Sequence, residues 1–549
     1  MTKGWTFSFL IFAASTAFAA PKIAPDLDPN SNAAIDVIVQ FNHVLSADEL
    51  KNLGAYGQLK KVFNGIRAVQ IKLPANKAQQ LAGDPSVVYI SPDRKTRKSL
   101  DITTVAVGAD LAWQYGWNGT GVGVAVIDSG INPDSDLTDT AGISRIAYAE
   151  SFVPGEGVTD LYGHGTHVSG VIGASGIDSS GLTFRRTFRG VAPNARLVNL
   201  KVLNQNGEGT DSGVIAAIQR AIELKDTYNI RVINLSLGRP VAESYRVDPL
   251  CQATEAAWRA GIVVVVAAGN YGRENSRGTK GYGTIASPGN DPWVITVGAM
   301  KTVGTTLRGD DRIASYSAKG PTAVDHVVKP DLVAPGDKIV SILTPGCTLA
   351  TLYPKTLISN SAYESLGGGY SDDYFRLSGT SMAAPVVSAA AALLIQKQPS
   401  LTPDQVKARL MKTASKALTL YSSATDAISF NVFYSQSDVF TVGAGYLDIN
   451  AALASNDLVS QPALSPTTVY NSVTRKVSMV RDFSVVWGDS VVWGDTVFSV
   501  QVNGSSVVWG DSVVWGDSTS SGFSVVWGDS AIIVQAIRPF SEDNDEQDQ

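Results

Sequence analysis

The chain has 549 residues, of which 44% are hydrophobic and 17% are charged, so it can bury a large core and is too long for one typical domain. Its net charge is −6 at pH 7, which gives no support to a role in nucleic-acid binding. Its two cysteines, Cys251 and Cys347, are too few for a disulfide framework.

Residues 1–20 have the pattern of a secretory signal peptide. Lys3 supplies a positive start, an apolar core runs from Trp5 to Ala14, and Ala17-Phe18-Ala19 forms a small-residue cleavage pattern. The apolar core is too short to span a bilayer. The pattern predicts a secreted, extracellular protein, with attachment to the cell envelope as a variant. Export permits a disulfide between the two cysteines, and two separate buried thiols are the alternative.

Residues 21–100 are predicted to form a small α+β unit. The pattern indicates, in chain order, a strand over 35–41, a helix capped by Ser46, a hairpin around 64–65, a helix over 77–82 and a strand over 87–90. Glu49, three residues after Ser46, completes a capping box. The β-α-β-β-α-β order is typical of a ferredoxin-like fold.

The next motifs carry acid and base groups. An apolar strand over 122–127 ends in Asp128-Ser129-Gly130, which places the aspartate at the carboxyl edge of a parallel sheet, where α/β proteins put their chemistry. His164 follows in a glycine-rich turn that opens an apolar helix, and it is one of four histidines in the chain. His167 lies three positions further along this helix, so we predict a structural role for it.

Two later motifs supply a hydroxyl and an amide. A strand over 262–268 runs into Gly269-Asn270, whose side-chain amide can donate a hydrogen bond to an oxyanion. Ser381 lies in Gly379-Thr380-Ser381-Met382-Ala383-Ala384-Pro385, at the start of an apolar helix, where unpaired N–H groups favour developing negative charge. Serine is a weak nucleophile without a base and oxyanion donors, and the upstream motifs supply both.

In this order, Asp128, His164, Asn270 and Ser381 resemble the motifs of the subtilisin-like serine proteases, or subtilases. The resemblance covers about residues 105–455. It implies a three-layer α/β domain with a mostly parallel central sheet over 101–458. It also implies a serine endopeptidase that acts on polypeptides and requires no cofactor.

The resemblance assigns a role to each site residue. Ser381 attacks the scissile carbonyl, His164 carries the proton, Asp128 orients His164, and Asn270 binds the oxyanion. The substrate would lie as an extended strand between two edge segments. The residues implied in substrate binding are Ser236, Leu237, Gly238, Gly207, Gly209, Ala268 and Gly269. Their apolar and small side chains predict broad specificity with an apolar P1 preference.

The small unit resembles the inhibitory propeptide of these proteases. This implies an intramolecular inhibitor that assists folding and is cut off near residues 97–104, so that the chain is made as a zymogen. A small domain that stays attached is the alternative.

Calcium is a possible structural ion, because Asp136 aligns with a family ligand position. The loop over 177–188 departs from the family pattern and carries Arg185 and Arg186, whereas calcium takes six to eight oxygens. No metal site is predicted beyond Asp136. The stretch 344–375 is predicted to be an inserted surface loop, and Ser287-Pro288 corresponds to a turn that often carries a cis proline.

Three segments follow the predicted protease domain. A linker is predicted over 459–480, a β-prone repeat region over 481–535 and an acidic, disordered tail over 536–549. The repeat unit Ser-Val-Val-Trp-Gly-Asp contains Trp487, Trp493, Trp509, Trp515 and Trp527. It fits a surface, glycan-binding, self-association or envelope-attachment module, and a weakly ordered tail is the alternative.

Three functions therefore compete. The first is a secreted, self-processing serine endopeptidase. The second is a surface or adhesion protein whose repeats bind while its peptidase domain only processes itself. The third keeps the triad but transfers the acyl group to an amine, as a ligase does.

Overall fold

The computed structural model describes residues 22–24, 27, 32–63, 66–92, 102–276, 278–365, 368–426, 429–471, 476–480 and 534–536. The chain divides into two compact units, Met1–Arg97 and Lys98–Gln549. The predicted signal peptide and residues 481–533, which contain the tryptophan repeats, lie outside the described residues, as does the end of the chain after Ala536.

The first unit is an antiparallel sheet with two helices. Its elements are β1 (Ala34–Phe41), α1 (Ala47–Leu53), β2 (Gln58–Phe63), β3 (Ala68–Pro74), α2 (Ala75–Ala82) and β4 (Val87–Pro92). The strand order is β2-β3-β1-β4, and Ser46 and Glu49 form the predicted capping box before α1. Alternating residues of β1 and β3, such as Val37 and Ile71, are buried in a common core. The β-α-β-β-α-β element order agrees with the sequence pattern.

The second unit contains the remaining elements. Its helices are α3 (Ile102–Ala106), α4 (Ala109–Gln114), α5 (His164–Gly173), α6 (Asp211–Glu223), α7 (Lys225–Tyr228), α8 (Pro249–Arg259), α9 (Thr348–Leu352), α10 (Thr380–Lys397), α11 (Pro403–Thr413) and α12 (Ile449–Ala454). Its first strands are β5 (Gly123–Asp128), β6 (Ile146–Ser151), β7 (Arg196–Lys201), β8 (Glu208–Gly209), β9 (Ile230–Leu235), β10 (Leu237–Gly238), β11 (Val263–Ala267), β12 (Ile295–Lys301), β13 (Arg312–Ile313) and β14 (Leu332–Pro335). The later strands are β15 (Ile339–Ile342), β16 (Leu357–Ser359), β17 (Tyr370–Leu377), β18 (Tyr421–Thr425), β19 (Val432–Gln436), β20 (Thr467–Asn471), β21 (Lys476–Val480) and β22 (Val534–Ala536).

An eight-stranded sheet forms the centre of the second unit, in the order β13-β12-β11-β9-β5-β7-β6 with β14 also paired to β12. All of these strands run parallel except β13. Every residue of β5 and β11 is buried, and β11 reads Val-Val-Val-Val-Ala, as expected for a strand covered on both faces. The prediction of an α/β fold with a mostly parallel sheet is confirmed.

Helix α10 packs in the core against β9, β11, β12 and helix α5. It is long and apolar enough to cross a membrane by composition alone, but 89% of that window is buried inside the unit. Helix α10 is therefore the central core helix of this domain, and its first turn carries Ser381.

Two stretches differ from the prediction. The stretch 344–375 is not simply a surface loop, because β17 pairs with β15 and β16, and Tyr363 and Tyr374 pack against Phe188 in a buried aromatic cluster. The predicted linker over 459–480 contains the β20–β21 hairpin, and Ser465 donates a hydrogen bond to buried Asp331. Aromatic burial in the first case, and side-chain hydrogen bonding in the second, attach these stretches to the domain.

The structure also bears on three smaller predictions. Cys251 and Cys347 are separate buried thiols, so the disulfide alternative is wrong. The Ser287-Pro288 peptide bond is cis, as predicted. The predicted boundary between the repeats and the acidic tail, at 535/536, divides strand β22.

Candidate active site

Asp128 and His164 meet at the end of the central strand. Asp128 is the last residue of β5, His164 is the first residue of α5, and both side chains are buried. The His164 Nδ1 atom lies 2.7 Å from Asp128 Oδ1, which also accepts a 2.8 Å hydrogen bond from the Ser129 N–H. Since a carboxylate can only accept, Nδ1 carries the proton and Nε2 keeps its lone pair.

The turn after Asp128 positions the start of α5. Ser129 Oγ accepts a 2.9 Å hydrogen bond from the Gly165 N–H, which joins the strand end directly to the helix start. A Cβ atom on Gly165 would lie 2.2 Å from the Gly130 carbonyl oxygen, so only glycine permits this approach.

Asp160 anchors the same helix, and the sequence analysis did not identify it. Its carboxylate accepts hydrogen bonds from Ser129 Oγ and from the N–H groups of Gly163 and Thr166, at 2.7–2.8 Å. Burial raises the pKa of Asp160, while these donors favour its charged form. A lone aspartate four residues before His164 carries little signal in the sequence alone.

His167 belongs to the packing of α5, as predicted. Its Nε2 atom lies 3.0 Å from the carbonyl oxygen of Ile339, and its ring meets Phe375 edge-on. Burial lowers the pKa of His167 to about 3, so this ring stays neutral at physiological pH. His167 therefore anchors α5 to Ile339, and it takes no part in the Asp128–His164 hydrogen bond.

Ser381 lies in the first turn of α10 and exchanges two hydrogen bonds with Ser236. Its Oγ donates to the Ser236 carbonyl at 3.2 Å, and Ser236 Oγ donates to the Ser381 carbonyl at 2.9 Å. The second bond has a cause within the helix. Pro385 lacks the N–H that would pair with the carbonyl four residues earlier, and Ser236 satisfies that carbonyl instead.

Asn270 faces the start of the same helix. Its Oδ1 atom accepts hydrogen bonds of 3.0 Å from both the N–H and the hydroxyl of Thr380. These two hydrogen bonds fix the position of Oδ1, and the orientation of the Asn270 Nδ2 group is fixed with it. A Cβ atom on Gly379 would lie 3.0 Å from that Nδ2, so glycine leaves room for the amide.

The residues predicted to bind substrate lie on or beside strands β8, β10 and β11. Leu237 and Gly238 form β10, and Gly209 lies in β8. Gly207 has a φ of 75° and packs so closely on the Tyr162 ring that a Cβ would lie 2.5 Å from it. Ala268 and Gly269 are buried just after β11. Strand β22 lies between β10 and β8 and pairs antiparallel with both.

Asp136 lies in an acidic cluster with Asp134 and Asp178, in which one carboxylate oxygen from each residue lies within 4.8 Å of the other two. Burial is the main cause that raises the pKa of Asp134 to about 6, and it also raises the pKa of Asp136. The Tyr374 hydroxyl donates to Asp136 at 2.6 Å. Arg145 donates to the carbonyls of Asp136 and of Gly173.

A buried Asp–His pair at the start of one helix, packed against a second helix whose first turn carries a serine, fits the arrangement of a serine hydrolase. Residues 119–437 match the model of the subtilase family, peptidase S8. The chain therefore belongs to the subtilase family and is a serine endopeptidase.

Curated relatives of this chain are bacterial proteases. It is 36% identical over 369 residues to serine protease AprX of Bacillus subtilis (strain 168), covering 65% of this chain and 76% of the relative. It is 33% identical over 422 residues to subtilisin E of the same organism, covering 74% and 92%. It is 33% identical over 378 residues to an alkaline protease of Alkalihalobacillus alcalophilus, covering 67% and 79%.

Proposed function

We propose that this chain is a secreted serine endopeptidase, made as a self-processing zymogen, in which Ser381, His164 and Asp128 form the catalytic triad. The observation that carries this proposal is the 2.7 Å contact between Asp128 and His164, at the start of helix α5, which packs against the helix that bears Ser381. Units 21–100 and 101–458 would be its propeptide and peptidase domain, after a signal peptide over 1–20.

The proton path follows from the hydrogen bonds of His164. Asp128 holds the Nδ1 proton, so Nε2 is the atom that accepts the Ser381 proton during attack. Within the part of the chain that the structure describes, His164 Nε2 has no hydrogen-bond partner. The resulting imidazolium is stabilised by the Asp128 carboxylate and returns the proton to the leaving amine.

The oxyanion would form at the start of α10. The Ser381 N–H lies in the first turn of α10, where the helix dipole favours negative charge, and the Asn270 amide is the second donor. These donors are fixed before the reaction, because Asn270 is held by Thr380 and needs no rearrangement.

Polypeptide substrates would bind between β8 and β10. Leu237, Ala268 and Gly269 are buried, and their apolar or absent side chains favour an apolar P1 residue. Glu208 is half-buried in β8, on the other side of the proposed cleft. The residues proposed to form the P1 pocket are therefore all uncharged.

A fluorophosphonate probe tests this function directly. We expect one covalent adduct per chain, on the tryptic peptide that contains Ser381, together with casein hydrolysis that the probe abolishes. Peptide substrates with Leu or Phe at P1 should be cut faster than matched peptides with Asp or Lys. Absence of both labelling and hydrolysis would contradict the proposal and leave the adhesion alternative, while ligated products in place of hydrolysed ones would indicate the ligase.

The surface or adhesion alternative depends on the tryptophan repeats. No observation on the described residues favours it, because residues 481–533 lie outside them. Glycan, surface or envelope contact through these repeats stays a prediction, as does the propeptide's role as an intramolecular inhibitor.

We also propose a structural calcium ion at Asp134, Asp136 and Asp178. Calcium prefers oxygen ligands, and three carboxylates in one place fit that preference. Their mutual repulsion, which adds to burial in raising the pKa of Asp134, would be relieved by a cation. Arg145 already donates hydrogen bonds to the carbonyl oxygens of Asp136 and Gly173. Water molecules would therefore have to supply the remaining calcium ligands. No catalytic step depends on this ion.

Calcium at ten times its dissociation constant is expected to raise the melting temperature of this large domain by about 2 °C. The shift should be present at pH 8 and lost below about pH 6, because protonation of Asp134 then competes with the cation. The measurement is calorimetry of the Ser381→Ala chain with and without calcium. Asp178→Asn should abolish the shift, and Asp139→Asn, in a nearby exposed turn, should keep it. An unchanged shift in Asp178→Asn would exclude this cluster.

A further inference from the structure

A cavity of about 450 Å³ lies within the second unit, next to its first described helix. Residues from five stretches of the chain line it: 102–103, 186–188, 301–304, 337–340 and 358–376. The triad, Asn270 and the residues proposed to bind substrate are not among the described residues that line it. A cavity of this size is typical of sites that bind small molecules.

The lining of this cavity is cationic. Among the described residues that line it, Asp337 is the one carboxylate, whereas four side chains are cationic: Arg186, Lys301, Lys338 and Arg376. Lys301 is the last residue of β12 and is only 5% exposed, so its charge is largely removed from bulk water. Cationic groups that converge in a partly dehydrated cavity attract an anion more strongly than the same groups on an open surface.

The same cavity offers a ligand an apolar surface. Phe188, Val340 and Ile358 line it, and the guanidinium carbon of Arg186 lies 5.3 Å from the centroid of the Phe188 ring. The cation–π contact holds this guanidinium group beside the apolar lining. Because arginine pairs with carboxylate and phosphate groups through two parallel hydrogen bonds, a ligand that joins such a group to a small apolar body matches both surfaces.

The backbone is strained at two positions of the lining. Val303 has a φ of 41° and Lys338 has a φ of 54°, in the left-handed region that side chains other than glycine rarely adopt. For the β-branched Val303 this conformation is a clear outlier. Strain of this kind clusters at sites that bind ligands, which is an observation independent of the charge.

We propose that this cavity is a binding site for a small organic anion. A phosphate or carboxylate group of the ligand lies among Arg186, Lys301 and Arg376, and its apolar part lies against Phe188 and Ile358. The ligand would connect β12, β17 and the loop over 177–188, and so stabilise the second unit. The site takes no part in peptide hydrolysis, and the inference does not depend on the proposed function.

Isothermal titration calorimetry of the full-length Ser381→Ala chain tests this proposal, because proteolysis cannot consume that sample. The probes are phenyl phosphate, benzoate and benzyl alcohol, which share a phenyl ring and differ in anionic charge. Sodium chloride keeps the ionic strength constant. We expect phenyl phosphate to bind with a Kd below about 1 mM, benzoate to bind less tightly, and benzyl alcohol to bind at least about tenfold less tightly than phenyl phosphate.

Arg376→Gln, added to this chain, should weaken the binding of phenyl phosphate by about tenfold or more, because it removes a charged hydrogen-bond donor. Arg259→Gln makes the same change of charge outside the cavity, at a side chain that is 65% exposed. This control should leave the Kd unchanged.

Ala362→Trp tests the cavity without changing any charge. Ala362 lines the cavity and is exposed, so a larger side chain there fills the site without entering the core. We expect Ala362→Trp to weaken the binding of phenyl phosphate by about tenfold or more, and Ala362→Ser to bind it as the parent chain does. This pair keeps the proposal testable if Arg376→Gln does not fold.

Four results would overturn the inference. They are a Kd for phenyl phosphate above about 10 mM, equally tight binding of benzyl alcohol, equal weakening by Arg259→Gln and Arg376→Gln, and unchanged binding in Ala362→Trp. Casein hydrolysis by the wild type tests the proposed function separately, so that either proposal can fail alone.

Discussion

Ser381→Ala is expected to lower kcat/KM for peptide hydrolysis by about a million-fold. The variant keeps the helix start and the Asn270 contacts but has no atom to form the acyl-enzyme. Its backbone should also remain intact, so that intact mass shows the precursor where the wild type has lost about residues 1–100.

Ser388→Ala provides a matched control on the same helix. Ser388 is buried, and its hydroxyl donates to Asn234 Oδ1 at 2.8 Å, so its loss also removes a buried hydroxyl from α10. We expect this variant to lose stability, by about 1–3 kcal/mol, and to keep its turnover. If Ser381→Ala retained more than a few per cent of wild-type turnover while Ser388→Ala behaved normally, the assignment of the nucleophile would be wrong.

Asn270→Asp is expected to lower kcat by about 10²–10³-fold with little change in KM. The substitution is nearly isosteric and keeps an oxygen to accept the two hydrogen bonds from Thr380, but it replaces the Nδ2 donor by a second oxygen. Only the group proposed to bind the oxyanion is lost. Steady-state kinetics on a peptide with an apolar P1 residue measure the effect.

Two further variants separate the donor from other roles of Asn270. Asn270→Ala lacks the added negative charge of aspartate and should show a loss of similar size. Thr380→Ala removes one of the two bonds that hold the amide and should cost much less, because the Thr380 N–H still donates to Asn270. A loss in Thr380→Ala as large as that in Asn270→Asp would mean that Asn270 acts by supporting the helix start.

The site residues that lie in short motifs could be predicted from the sequence, because the residues of each motif are neighbours in the chain. Asp128 ends an apolar strand and Ser381 begins an apolar helix, and each signal is contained in a few consecutive residues. The order of elements in the first unit was readable for the same reason, since capping at Ser46 and the turn after β2 are local.

Contacts between residues that are distant in the sequence could not be predicted from it. Asp160 accepts hydrogen bonds from Gly163 and Thr166, which are near it in the sequence, but also from Ser129, and no local pattern marks that distant contact. The pairing of Gln535 with Gly238 and Glu208 follows no periodicity within the segment that contains it. Tyr363 and Tyr374 lie in a stretch whose glycines and serines favour a loop, and only packing against Phe188 buries them.

The paired hydrogen bonds between Ser236 and Ser381 imply that binding prepares the nucleophile. In this structure the Ser236 carbonyl accepts the Ser381 hydroxyl. A peptide strand added along β10 that offers an N–H to this carbonyl competes for it, and the hydroxyl then turns toward His164 Nε2. We therefore expect Ser381 to be activated most fully when a polypeptide backbone is bound and occupies the Ser236 carbonyl.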